Sequence, residues 1–256
     1  MAAAEVIALA GKGGTGKTTV AGLVVRSLRQ ARRVPILAVD ADPNVCFDAA
    51  LGLHPTRTIS GVLHASQGLR GVPEGVPKAT YLEYELEACL AEGRDVDLIE
   101  MGRPEGPACY CSANHLLRNY MDRLMGAYRT VVVDNEAGME HLSRRTTRDV
   151  DLLLIVSDAS QVGIRSAQRI RELVTELAVP VRRMALVVNR ATRLPPEVET
   201  AIADNGLELA GLVPDDPRIL EFELAGRPLL DLPDDAPAVA AVERMLAALG
   251  PEGGRA

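Results

Sequence analysis

The sequence predicts an α/β protein built on a doubly wound, mostly parallel sheet flanked by helices. Three observations carry that prediction. Short aliphatic runs rich in Val, Ile and Leu recur along the 256 residues. Amphipathic helical patterns separate most of them. The first run passes through a glycine-rich turn straight into the first helical pattern. Aliphatic runs without polar alternation are what a sheet covered on both faces requires, and strand–helix alternation is the pattern of parallel sheets.

The runs are Val6–Ala10, Ile36–Val39, Val96–Met101, Thr130–Val133, Leu152–Val156, Ala185–Val188 and Leu209–Val213. A helix over Gly16–Gln30 aligns Val20, Leu23, Val24 and Leu28 on one face, and Val162–Leu177 aligns Ile170, Leu173, Val174 and Leu177. Further helices are expected over Tyr81–Ala91, Ser112–Gly126 and Ala236–Leu249. Residues 52–80, with Pro55, Pro73 and Pro77, break the rhythm and read as an irregular insertion with one short helix. The expected layout is one domain over residues 1–250 and a frayed tail, PEGGRA, over 251–256.

Composition narrows the function classes. A net charge of -7 disfavours broad nucleic-acid binding through the surface field. The N-terminal run is short and has no basic lead, so neither a membrane span nor a leader is read there. Four cysteines in a chain of this length do not make a disulfide scaffold. The expectation is a cytoplasmic protein without a nucleic-acid or membrane partner. With no Trp and only Phe47 and Phe222 for phenylalanine, the core must be aliphatic.

The strongest chemical signal is Gly11-Lys12-Gly13-Gly14-Thr15-Gly16-Lys17-Thr18, which fits G-x-x-x-x-G-K-[ST] between a strand and a helix. Glycines let backbone N–H groups approach phosphate oxygens, and the helix N-terminus adds positive potential. Lys17 is positioned to neutralise the β- and γ-phosphates, and the Thr18 hydroxyl to reach Mg²⁺. Gly11, Gly13, Gly14, Thr15, Gly16, Lys17, Thr18 and Thr19 are therefore the expected nucleotide contacts. "LAVDADPN" ends the second run with Asp40 and Asp42, and "VVVDNEAG" ends another with Asp134. Asn189 follows a strand in "LVVNRAT", and Pro214 and Asp215 follow one in "GLVPDDP".

With its second lysine at Lys12, "GKGGTGKTT" resembles the deviant Walker A phosphate loop of the MinD/ParA/nitrogenase-iron-protein group of P-loop NTPases. That resemblance implies several roles. Lys12 would reach a partner's nucleotide across a homodimer interface. Asp134 would hold Mg²⁺, Asp42 would orient or deprotonate the attacking water, and Asp40 would support the metal shell. The loops at Asn189 and at Pro214–Asp215 would hold the base, with an Asn carboxamide complementary to adenine N6 and N7. No N-K-x-D guanine signature follows Asn189.

Two cysteines stand one residue apart in "MGRPEGPACYCSANHLLR". Cys109 and Cys111 are too close to bridge each other without strain. One such pair half-coordinates a d-block ion, and a two-fold dimer would complete a Cys₄ shell suited to Zn²⁺ or Ni²⁺. The helix expected from Ser112 would lower the Cys111 thiol pKa. Cys46, beside Phe47, and Cys89, on an apolar helical face, read as core. His115 reads as a helix-surface residue, and Arg144, Arg145 and Arg148 as a contact for a dimer mate or client.

This stretch, together with "VDNEAGMEHLSRR", closely resembles the CooC-type ATPases, which usually carry glycine where this chain has Ala108. The resemblance implies a homodimeric ATPase using ATP/ADP and Mg²⁺. It would bind Ni²⁺ or Zn²⁺ at Cys109 and Cys111 and assist nickel insertion into carbon monoxide dehydrogenase or a related client. The alternative is a MinD/ParA-type positioning or partition ATPase. The C-terminal pattern around Glu243 and Arg244 lacks the basic amphipathic character a membrane helix needs. A reductase holding a 4Fe–4S cluster between subunits would need well-separated cysteines, which the close pair argues against.

Overall fold

The computed structural model describes residues 4–42, 46–65, 75–103, 111–135 and 149–250. The strands are β1 (Glu5–Ala10), β2 (Ile36–Ala41), β3 (Leu90–Ala91), β4 (Val96–Glu100), β5 (Thr130–Asn135), β6 (Val150–Ser157), β7 (Val181–Asn189) and β8 (Leu209–Val213). They form one sheet in the order β3-β4-β2-β5-β1-β6-β7-β8. Every pairing is parallel except that of β3 with β4. The helices are α1 (Lys17–Gln30), α2 (Phe47–Leu51), α3 (Ile59–Ala65), α4 (Lys78–Glu87), α5 (Cys111–Gly126), α6 (Gln161–Glu176), α7 (Pro196–Asp204), α8 (Pro217–Leu224) and α9 (Pro237–Leu249), with a 3₁₀ turn at Leu229–Asp231.

Residues on each strand alternate between two apolar layers. Val6, Ala8, Leu37, Val39, Val131 and Val133 pack with Ile59, Leu86, Leu117, Met121, Ile164 and Val198 from α3 to α7. Ile7, Leu9, Ala38, Leu98 and Val132 pack with Val20, Leu23, Val24, Phe47, Val239 and Val242 from α1, α2 and α9. Both faces are therefore dry, and that is why the strands read as unbroken aliphatic runs. Connections from β1 lead toward β2 on one side, while β6 lies on the other side of β1. That reversal of direction opens a crevice at the carboxyl ends of the strands, where α/β sheets bind ligands.

Arg26 fastens α1 from its far side. It is 6% exposed, and its guanidinium donates to Leu232 O at 2.6 and 2.9 Å and to Asp234 at 2.5 Å. α9 buries Ala238, Val239, Ala241, Val242, Met245 and Leu249. Among the described residues, no helix is long and apolar enough to cross a membrane.

Three expectations are corrected. The helix expected over Tyr81–Ala91 ends at Glu87, because the Ala88 and Cys89 N–H groups bond back to Tyr84 and Leu86 and the chain reverses into the antiparallel edge strand β3. Strands β6 and β7 run further toward their N-termini than the aliphatic runs, since their ends carry Asp151, Arg182 and Arg183. Cys46 is exposed, whereas Cys89 is buried as expected. Phe47, next in the chain, takes the core position instead, fully buried at the start of α2.

The turn after β8 separates two adjacent aspartates. Asp216 is 4% exposed and caps α8, accepting from Arg218 N at 3.1 Å and from Ala238 N at 3.3 Å. Asp215 faces solvent. Replacing Asp216 by Ala removes an N-cap and leaves two backbone donors without this acceptor. It should lower stability by about 1–2 kcal/mol. Asp215→Ala should stay within about 0.5 kcal/mol of wild type. Urea unfolding of the two variants measures the difference.

Candidate functional site

The glycine-rich loop lies where β1 hands over to α1, at the reversal of strand order. Gly11 is there for space: a Cβ would sit 2.3 Å from Val156 O at the end of β6. Gly14 and Gly16 are there for conformation, with φ of 82° and 81°, a left-handed region that L side chains avoid. Thr15 closes the loop on itself, its hydroxyl donating to Lys12 O at 2.9 Å. Lys17 opens α1 and is 8% exposed. Lys12, Gly13 and Gly14 are exposed on the rim. Thr18 and Thr19 are half-buried on the first turn.

Parallel register aligns the acidic strand ends beside this loop. Glu100 pairs with Asp40, and Asp40 pairs with Asp134. All three follow by two residues an apolar side chain on the α1 face (Leu98, Ala38 and Val132), so the carboxylates share that face. Their exposures are 5%, 0% and 1%. The Thr18 hydroxyl donates to Asp134 Oδ2 at 2.6 Å. Asp134 Oδ1 is buried with no hydrogen-bond partner among the described residues. Burial pushes the Asp134 pKa up to about 7; Asp40 and Asp42 add to the rise, while the Thr18 hydroxyl and Lys17 oppose it. A buried, partnerless carboxylate oxygen beside a threonine hydroxyl is a hard oxygen donor set of the kind Mg²⁺ takes, so the residues fit that ion.

Asp40 is held by backbone donors on both of its oxygens. Its Oδ1 accepts from Asp42 N, and its Oδ2 accepts from Cys46 N and Phe47 N, each at 3.0 Å. The carboxylate thereby holds the backbone of Asp42, just past the end of β2 at Ala41, and that of Cys46 and Phe47 at the start of α2. Burial raises the Asp40 pKa despite those three bonds. Cys46 sits near the same carboxylates; burial first, then Asp40, Asp42, Asp48 and Asp134, raises its thiol pKa.

Asn189 ends β7 and is 5% exposed. Its Nδ2 donates to Thr15 O at 2.9 Å, so it contacts the phosphate loop directly. Pro214 is half-buried and Asp215 exposed, next to Val213, which pairs with Asn189. Cys109 lies outside the described residues, as do Arg144, Arg145 and Arg148. Cys111 is described only as the first residue of the α5 backbone. Among the described residues, no cluster of three or more His, Cys, Asp or Glu side chains could hold a metal ion.

Two site residues escaped the reading of the sequence. Glu100 is the acidic end of an apolar strand, the same signal that picked out Asp40 and Asp134. Asn135, fully buried, donates its Nδ2 to Leu9 O at 3.0 Å and ties β5 to the strand that feeds the loop. Burial, then Asp48 and Asp40, pushes the Glu100 pKa up to about 7. A carboxyl raised in the folded state binds protons more tightly there than in the unfolded chain. It therefore loses stability as pH rises from about 4.3, where an unfolded Glu ionises, to about 7. Glu100→Gln should flatten that decline and leave the variant more stable than wild type at pH 8. Urea midpoints at pH 5 and pH 8 test it.

The comparisons with known proteins agree with this geometry. An ATP-binding protein of Methanocaldococcus jannaschii is 39% identical over 94% of this chain and 96% of its own length. The carbon monoxide dehydrogenase accessory protein CooC of Rhodospirillum rubrum is 29% identical over 88% of this chain and 89% of its own. Among solved structures, a chain of the MinC:MinD cell division protein complex of Aquifex aeolicus superposes with a TM-score of 0.71 at 23% identity, covering 99% of this chain and 98% of that one. The ParA family ATPase of Chlorobium tepidum gives 0.67 at 21%, with 94% and 96% covered. The profile of one nucleotide-binding domain matches residues 6–229, and the chain belongs to that family, the CobQ/CobB/MinD/ParA nucleotide-binding domain.

Proposed function

We propose that this protein is a cytoplasmic, homodimeric ATPase that carries Ni²⁺ or Zn²⁺ on Cys109 and Cys111 and assists nickel insertion into carbon monoxide dehydrogenase or a related enzyme. One observation carries the reading: the sequence of an ATP-site chain that is 29% identical to a carbon monoxide dehydrogenase accessory protein contains a C-x-C pair. The metal ion is cargo. Two chains would each supply two thiolates, and neither pair alone fills a tetrahedral or square-planar shell.

For ATP, Lys17 and the loop N–H groups neutralise and orient the phosphates. Thr18 and Asp134 would hold Mg²⁺, which when bound offsets charge on the β- and γ-phosphate oxygens. Asp42, held out of the sheet by the bond from its own N–H to Asp40, would orient the attacking water or accept its proton. Lys12, exposed on the loop rim, is free to reach a second chain's nucleotide. Phosphoryl transfer depends on such positioning more than on covalent chemistry. Membrane positioning of the MinD kind has less support, because α9 turns its apolar residues into the core.

Two measurements test these roles. Asp42→Asn should keep ATP affinity within about threefold and cut turnover by about 10²–10⁴-fold. A loss confined to affinity would assign Asp42 to binding. In metal titration with gel filtration, wild type should take up about one Ni²⁺ or Zn²⁺ per two chains. The double variant Cys109→Ser/Cys111→Ser should take up none at that site. Equal Ni²⁺ uptake by both proteins would sink the metallochaperone reading.

A further inference from the structure

We infer that Asn189 is a positioning residue for the phosphate loop, in addition to any contact it makes with a base. Its carboxamide reaches from the end of β7 to the Thr15 carbonyl at 2.9 Å, in a buried contact. A trans peptide points its C=O and N–H in opposite directions. Holding Thr15 O toward β7 therefore aims the Gly16 N–H away from β7. The orientation of that N–H is what a phosphate loop must control, because anion binding there depends on backbone N–H groups turned toward the ligand.

Gly16 shows how closely the two parts are fitted. A Cβ at residue 16 would lie 2.3 Å from Asn189 Nδ2. The glycine is thus required by the asparagine as well as by its own φ of 81°. Apart from its two chain neighbours, no other side chain in the described part of the chain comes within 4 Å of that Cβ position. Elsewhere the loop is held by crowding of Gly11 against Val156 O, by the bonds of the Thr15 hydroxyl and N–H to Lys12 O, and by the Thr18–Asp134 bond. None of these engages the Thr15 carbonyl or the Gly16 N–H.

Asn189 also belongs to the other end of the site. It pairs with Val213, and the Ala191 N–H donates to Val213 O at 2.9 Å, directly before Pro214 and Asp215. A side chain rooted in the strand ends proposed to hold the base thus grips the loop proposed to hold the phosphates. A carboxamide has two N–H donors and one acceptor. With one N–H on Thr15, the others can still serve a base. The inference rests on the reading that ATP binds this loop.

The test separates phosphates from base. Mg²⁺·tripolyphosphate, which has no base, and Mg²⁺·ATP each displace a fluorescent ATP analogue from wild type, Asn189→Ala and Asn189→Asp. If Asn189 positions the loop, Asn189→Ala should weaken tripolyphosphate on the order of tenfold, the cost of one buried hydrogen bond. Asn189→Asp should weaken it at least as much at pH 8, since a carboxylate opposes the Thr15 carbonyl. That loss, relative to wild type, should shrink toward pH 5, where a protonated carboxyl donates again. Asp keeps the shape of Asn, so this variant decides the matter if Asn189→Ala does not fold. Unchanged tripolyphosphate affinity in both Asn189 variants, with ATP affinity lowered, would make Asn189 a base contact only and overturn the inference. Failure of wild type to bind ATP would overturn the ATP reading itself.

Discussion

Parallel register is the constraint on which the site depends. It places Glu100, Asp40 and Asp134 side by side at the carboxyl edge of β4, β2 and β5, on the face that α1 covers. Three carboxyl groups in a row, each at most 5% exposed, are costly to ionise together. The structure offsets that cost unevenly. Asp40 accepts three backbone N–H groups, and Asp134 has the Thr18 hydroxyl and the nearby charge of Lys17. Burial dominates the raised pKa of each of the three groups. Such a row is poised to gain from positive charge brought beside it, which suits a site proposed to bind Mg²⁺ and triphosphate.

The phosphate loop is fixed by its surroundings more than by itself. β6 excludes a side chain at Gly11, β5 holds Thr18 through Asp134, and β7 holds Thr15 through Asn189. The sheet therefore acts as a jig. Three neighbouring strand ends each constrain one part of a loop whose glycines would otherwise leave it free. Asn135 extends the same logic by tying β5 to Leu9 on the loop's own strand. Pre-set N–H groups cost no reorganisation when an anion arrives, which is the physical basis of electrostatic catalysis.

Legibility in the sequence followed the range of the interaction. The seven parallel strands, α1 and the phosphate loop are legible in local pattern, because a dry parallel sheet demands aliphatic runs and the loop's residues are contiguous. Asp40 and Asp134 were found by their place at strand ends, but the bonds Asp40 makes to Cys46 and Phe47 were not visible. Those bonds form only once α2 is docked beside the strand ends. The same docking decides which of Cys46 and Phe47 enters the core, and nothing in the neighbouring residues encodes it. The end of α4 was missed because the pull toward β4 comes from a ladder, not from any breaker residue.

The sequence by itself determined the fold class, the phosphate loop and the presence of a close cysteine pair. Each of these is written in neighbouring residues and their spacing. Only the tertiary structure decided that Glu100 joins Asp40 and Asp134, that Asp216 is structural while Asp215 faces solvent, and that Asn189 grips Thr15 from 174 residues away. These are contacts between strand ends remote in the chain. Register and crossing order bring them together, and no local propensity encodes either one.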